Sequence, residues 1–313
     1  MPPLKTVRGG ALLTALFIMT LVAIVATAMS TRLQLDIYKA RLIITHDKLY
    51  LATQPVMFWT LNELRNKKVV FSKVKKQGMV AEYPENLGTL SQPILVTGGI
   101  YDLQALYNLN NLNDKKSFPS FINLLTNLYP TLNKEERMNL ALAINDWIST
   151  YDLARGKDSY MTYYLNQKPP YYPSHQLISS SSELRLVKDV TAPLYAALEP
   201  FITALPESTP ININTASKQV LKSLGHGLTN AQLNELLTAR GEEGISDIKE
   251  IGELLQKLDL TPEQITIESS YFLSVAQAKQ DEFSMNVYTL FKRIKDKKGK
   301  ISVHVIREGI NSF

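Results

Sequence analysis

The chain of 313 residues contains no cysteine. Its absence excludes disulfides, a thiol nucleophile and cysteine-based zinc or iron–sulfur centres. Histidine is scarce. His46, His175, His226 and His304 stand far apart, without the H-x-x-x-H spacing that sets two imidazoles on one helical face. Charge of one sign is also lacking: 34 Lys and Arg against 29 Asp and Glu give +5, with bases scattered among acids. Nothing in that balance demands a polyanionic partner. Catalytic groupings are missing too. The serine run Ser179–Ser182 with Glu183 reads as a loop and helix N-cap, and carboxylate pairs lack a histidine or pocket signal. The expectation is a protein that is not an enzyme and requires no cofactor.

What is present is a run from Gly9 to Thr31, GGALLTALFIMTLVAIVATAMST, without one charged residue. About 20 apolar residues in a helix span the hydrocarbon core of a bilayer. Lys5 and Arg8 precede the run and favour a cytoplasmic N-terminus, which puts everything after Arg32 outside. Beyond it lie roughly 280 residues, enough for one elaborate domain or two smaller ones. With 45% hydrophobic and 20% charged residues they have ordinary globular composition, and without disulfides they depend on a hydrophobic core.

Three readings of the N-terminus stay open. A cleavable secretory signal has the basic leader, the apolar region and an A-x-A site at Ala26-Thr27-Ala28, although the apolar run exceeds the usual length of about 7–15 residues. An uncleaved signal anchor is the second. The third rests on Arg8-Gly9-Gly10-Ala11-Leu12-Leu13, which resembles the type IV prepilin class of substrate. That resemblance implies cutting by a prepilin peptidase between Gly9 and Gly10, with the apolar helix kept on the mature protein. Such proteins usually carry Glu at the fifth mature position, where this chain has Thr14. A carboxylate inside a membrane is costly unless paired, and a subunit with no neighbour above it can dispense with one.

Past Arg32, Leu33, Ile37, Ala40, Ile44 and Leu51 continue a near-helical spacing, and Pro55 is expected to kink or end the helix. Residues 66–100 are punctuated by Gly and Pro; Val69-Val70-Phe71 and Ile94-Leu95-Val96-Thr97 read as a loop and a short strand. Asn133 and Glu136 form a capping box before a core stripe of Leu140, Ile144, Trp147 and Ile148. A turn then recurs three times, at Lys188-Asp189-Val190-Thr191, His226-Gly227-Leu228-Thr229 and Leu258-Asp259-Leu260-Thr261, each Thr placed to cap a following helix. Such units make an all-α lobe. Tyr271–Val275, Phe283–Tyr288 and Ile301–Val305 read as strands, with a hairpin turn at Asp296-Lys297-Lys298-Gly299.

Pro210-Ile211-Asn212-Ile213-Asn214-Thr215-Ala216, leading to Gly225-His226-Gly227, resembles a helix-hairpin-helix module, whose backbone N–H groups hold a DNA phosphate. Lys218, Lys222 and Arg240 supply positive charge there, and Glu235, Glu242 and Glu243 offset it. The alternative function is therefore a membrane-anchored DNA-binding protein of competence type, using Gly225, Gly227 and Lys222; the plain reading is a turn that needs glycine.

The ordered set GGIYDLQALYNLNNL, NDWIS, SELRLVKDVTAPLYAALEPFITALP and TPININTAS resembles the minor pseudopilin K family of the type II (general) secretion pathway. The resemblance covers most of the chain, including the leader and the missing Glu. It implies an α+β, pilin-like fold: a long N-terminal helix and a small antiparallel sheet, interrupted by a large all-α insertion with helix-hairpin-helix-like units. The expected divisions are a leader at 1–9, a stem at 10–65 crossing the membrane in its first half, the first part of the head at 66–116, the insertion at 117–268 and closing strands at 269–313. It implies a place at the tip of a pseudopilus, with minor pseudopilins I and J as partners, a single-pass anchor in the bacterial inner membrane and a periplasmic head. Some family members bind calcium through an acidic loop after the Asp-Trp. The candidates here are Asp146, Asp152 and Asp158, with Ser149, Thr150 and Ser159 where more acids would be needed, a thin set for Ca2+.

Overall fold

The first element is a helix of 56 residues, α1 (Gly10–Arg65). At 1.5 Å per residue it is about 84 Å long. The computed structural model describes residues 10–67, 69, 71–74, 78–91, 93–150, 160–296 and 298–312. Residues 10–44 of α1 are exposed all round. From Leu49 onward one face is buried, through Leu49, Ala52, Thr53, Val56, Thr60 and Leu64. These positions repeat every three to four residues and so share one side of the helix.

Pro55 does not end α1, which runs ten residues past it. The ring removes the bond to the Leu51 carbonyl, but Leu51 and Pro55 lie on the exposed side. The buried turns on either side hold the helix together by packing, which commonly outweighs propensity.

After α1 come β1 (Met79–Glu82), α2 (Glu85–Gly88) and β2 (Leu95–Asp102). The chain then leaves the sheet through β3 (Tyr107–Asn108), α3 (Phe118–Leu128), α4 (Lys134–Ile148), α5 (Met161–Leu165), α6 (Ala192–Leu198), β4 (Ile202–Thr203), β5 (Ile211–Asn212), α7 (Lys218–Lys222), α8 (Asn230–Arg240), α9 (Gly252–Lys257) and β6 (Ile265–Thr266). It returns as β7 (Tyr271–Gln280), β8 (Phe283–Lys295) and β9 (Ile301–Ile310).

The sheet has the order β1-β2-β7-β8-β9, every neighbour antiparallel. Asp102 at the end of β2 faces Phe272 at the start of β7, so the whole insertion hangs between two adjacent strands. Along β7 the faces alternate. Phe272, Ala276 and Ala278 pack with Leu49, Val56 and Leu64 of α1, whereas Tyr271 and Leu273 pack with Leu103, Leu205 and Leu290. Gly98 explains half of the Gly-Gly pair in β2. A Cβ there would lie 2.6 Å from the Val275 carbonyl oxygen and 2.8 Å from Val56 Cγ1, so only glycine lets α1 sit this close to the sheet.

The insertion has its own core, which includes the expected stripe Leu140, Ile144, Trp147 and Ile148 behind the Asn133–Glu136 capping box. Tyr107, Leu109 and Leu112 belong to that core too, so residues expected in the head stand with the insertion. The lobe is helical, yet two short parallel bridges, β3 with β4 and β5 with β6, clasp its chain crossings. The recurring turn is real: Asp189, Gly227 and Asp259, its second residues, all take positive φ (67°, 94° and 54°). Thr191 caps α6 and Thr229 caps α8 with Gln232 in a reciprocal box. The third unit departs from expectation. Thr261 precedes one turn and then β6, because residues 265–266 are taken as a strand by β5. The closing hairpin turn stands as read, with Asp296 Oδ1 accepting from the Lys298 and Lys300 amides.

Candidate functional site

Two features could carry function: the exposed stem and the junction where the insertion joins the sheet. On the stem, Leu12, Leu16, Phe17, Ile18 and Ile24 are exposed, uncovered by any other described part of the chain. By length and composition α1 is able to cross a membrane. Thr14 Oγ1 donates to the carbonyls of Gly10 (3.1 Å) and Ala11 (3.0 Å), so the hydroxyl is satisfied inside its own helix. Gly10 is the first helical residue, and Gly9 lies outside the described residues.

The junction is built around Asp102, which is 2% exposed. Its Oδ2 accepts from Thr215 Oγ1 (2.6 Å), Ser269 Oγ (2.7 Å) and Asn212 Nδ2 (2.9 Å), and its Oδ1 from the Gln104 amide (2.9 Å). Burial pushes the carboxyl above its ordinary range, and the four donors pull against that shift. Gln104 in turn donates to the Pro210 carbonyl (3.0 Å) and accepts from the Tyr271 amide (3.3 Å). Asn108 and Asn110 continue the network. Asn108 Nδ2 reaches the Glu207 carbonyl (2.7 Å), and Asn110 Nδ2 those of Leu205 (2.7 Å) and Ile178 (2.9 Å). Asn214 Nδ2 ties the Ile245 carbonyl (3.0 Å). Outside the knot, Glu207 accepts from Tyr271 and Lys292, both at 2.6 Å, and this pairing holds its carboxyl below the usual range.

Most of these residues fall in the Asp-x-Gln and N-x-N patterns of GGIYDLQALYNLNNL and TPININTAS. Their work is architectural: they satisfy the backbone where two chain crossings pass through the interior. Asp102 was not singled out from sequence. The available signal was a lone carboxylate inside an apolar stretch, a placement that requires partners when buried.

The glycine turn is likewise committed internally. The Gly227 N–H donates to the Leu224 carbonyl and the Leu228 N–H to that of Lys222, both at 2.9 Å. A Cβ on Gly227 would meet the Asn123 amide at 3.2 Å, and φ there is 94°. His226 Nε2 lies 3.3 Å from the Asp259 carboxylate, which would repel a phosphate beside the turn. Arg240 Nη1 donates to the carbonyls of Ala216 (3.0 Å) and Ile213 (3.3 Å). Gly227 and Arg240 thus serve the helical packing, and nothing favours DNA binding. Asp146 lies in the last turn of α4, and Asp152 and Asp158 lie outside the described residues, so no cation geometry can be built from the three.

A long apolar stem packed on an antiparallel sheet, with a helical lobe inserted between two neighbouring strands, defines a pilin-like subunit. Two family models match, both described as Type II secretion system (T2SS), protein K, over residues 102–207 and 211–272. Type II secretion system protein K of Aeromonas hydrophila is 28% identical, over 95% of this chain and 96% of that protein. The Pseudomonas aeruginosa protein of the same name is 27% identical, over 95% and 91%. A chain in the solved GspK-GspI-GspJ complex of enterotoxigenic Escherichia coli shares the fold at TM-score 0.62 and 19% identity, covering 90% of this chain and 99% of that one. The chain belongs to the type II secretion system protein K family, the minor pseudopilins.

Proposed function

We propose that this subunit sits at the tip of the pseudopilus and works by assembly, without catalysis. The carrying observation is the division of α1: residues 10–44 are apolar or amphipathic and uncovered, while residues 49–64 are locked to the sheet. The uncovered half is held in the inner membrane until it packs against neighbouring stems, with the head in the periplasm. The relative solved with GspI and GspJ makes minor pseudopilins I and J the expected partners. Thr14, bonded to its own helix, leaves no acid to neutralise the amine of a subunit above, which fits a filament end. Processing by prepilin peptidase between Gly9 and Gly10 would free that helix.

Co-purification tests the reading. The full chain, extracted in non-ionic detergent with minor pseudopilins I and J, is expected to elute as one complex. Failure to associate with either would refute the tip assignment.

A further inference from the structure

The two edges of the sheet differ. β1, at one edge, is only four residues long and carries a register shift. β9, at the other, is ten residues long, and among the described residues no strand lies beyond it. Its outward amides and carbonyls therefore make no ladder bond. Exposed edges are commonly blunted by shortness, charge, proline or a bulge, and β1 shows the first and the last. From Ile301 to Ile306, ISVHVI, β9 has no proline and no Lys, Arg, Asp or Glu. Its register shift comes only opposite Leu290 and Phe291, at the end of this run. Val305 and Ile306 are 48% and 44% exposed, so nothing in the described chain covers them. Beyond the run the strand is tied by its own chain. Arg307 Nη1 donates to the Ser179 carbonyl, and Glu308 Oε1 accepts from the Tyr50 hydroxyl at 2.8 Å. The open length is Ile301–Ile306.

That length adjoins the stem. β9 runs antiparallel to α1, since Val303 shares a core with Leu64 while Glu308 meets Tyr50. Ile301 packs on the same core as Met57 and Leu61. Ile43, Tyr50 and Met57 follow one another at seven-residue steps and so share one flank of α1. Ile43 belongs to the uncovered half, so the stem surface leads along that flank to the open edge.

We infer that Ile301–Ile306 pairs with an extended strand from the head of the neighbouring minor pseudopilin, which lengthens this sheet while its stem packs along α1. Main-chain bonds carry the pairing, and Val305 and Ile306 meet apolar side chains of the added strand. The neighbour is named as occupant because the edge continues the flank on which its stem would lie. A second copy of this chain, pairing β9 with β9 in the antiparallel sense, would point the two stems in opposite directions, which anchorage in one membrane forbids. The inference rests on the tip assignment given above.

Amide hydrogen exchange tests it, on the full chain in non-ionic detergent, alone and with minor pseudopilins I and J. Exchange in peptides covering Ile301–Ile306 is expected to slow about tenfold or more in the complex, with α4 in the insertion unchanged. The variant Val305→Lys/Ile306→Lys puts charge on an exposed edge and is expected to weaken the complex about tenfold. A complex that forms with exchange at Ile301–Ile306 unchanged would overturn the inference and leave the tip assignment standing. Failure to form any complex would remove both. Slowing in the chain alone that grows with its concentration would assign the edge to a second copy, and a variant that binds as wild type would refute the pairing.

Discussion

Removing the carboxylate at the centre of the junction gives the sharpest test of what holds the insertion to the sheet. Asp102→Ala would remove the acceptor of four donor hydrogens, on Gln104 N, Asn212 Nδ2, Thr215 Oγ1 and Ser269 Oγ, with Asn212 Nδ2 keeping its other bond, to Ser269 Oγ at 2.9 Å. The two hydroxyls can rotate toward other acceptors, whereas the backbone amide and the Asn212 amide are fixed. An unsatisfied buried donor costs about 1–3 kcal/mol, so the two fixed groups set a loss of about 2–6 kcal/mol. Asp102→Asn keeps the volume. Its amide nitrogen can turn toward the single Oδ1 donor, so one clash replaces four losses, and the cost falls to about 1–3 kcal/mol. In a head of this size each kcal/mol lowers the melting temperature by roughly 2–4 °C. Thermal unfolding of the full chain in detergent should therefore rank wild type above Asn and Asn above Ala. A loss below about 1 kcal/mol for Ala, or equal losses for both variants, would refute the account, since a buried donor is worth at least that. The pH dependence adds a sign. Burial raises the carboxyl, so the native state binds its proton more tightly than the unfolded chain. That contribution is fully present below the unfolded value of about 3.9 and is lost as pH rises through the raised value. The asparagine cannot titrate, so the gap between wild type and Asp102→Asn should narrow as pH rises.

Glu207 should behave oppositely. Lys292 and Tyr271 lower its carboxyl, so its contribution is present above the unfolded value of about 4.3 and fades as pH falls through the lowered one; Lys292→Ala should raise the Glu207 titration seen by carbon-13 NMR. N-terminal sequencing of the mature protein is expected to start at Gly10, and a start at Met29 would leave no stem. Gly227→Ala meets both a positive φ and the Asn123 amide, and should cost about 1–3 kcal/mol in urea denaturation. Leu64→Ala, fully buried under the sheet, should cost about 2–5 kcal/mol by the same measurement.

The sequence by itself determined whatever depends on local pattern. The uncharged run and the spacing after it define α1; the capping box at Asn133 and the alternation in β8 and β9 define their elements. Those signals lie within one or two turns of chain, where backbone geometry and neighbouring side chains decide the outcome. The ordered motifs also placed the chain in its family. Only the tertiary structure decided where packing or distant partners compete with local preference. The helix passes Pro55 because both flanking turns are buried. Thr261 leads into a strand because β5 offers it an edge, and Tyr107 to Leu112 join the insertion because their apolar faces meet α3 and α4. Asp102 belongs to the same class. Its partners come from residues 104, 212, 215 and 269, and the donors that make a buried carboxylate tolerable meet only once the chain has crossed the junction twice.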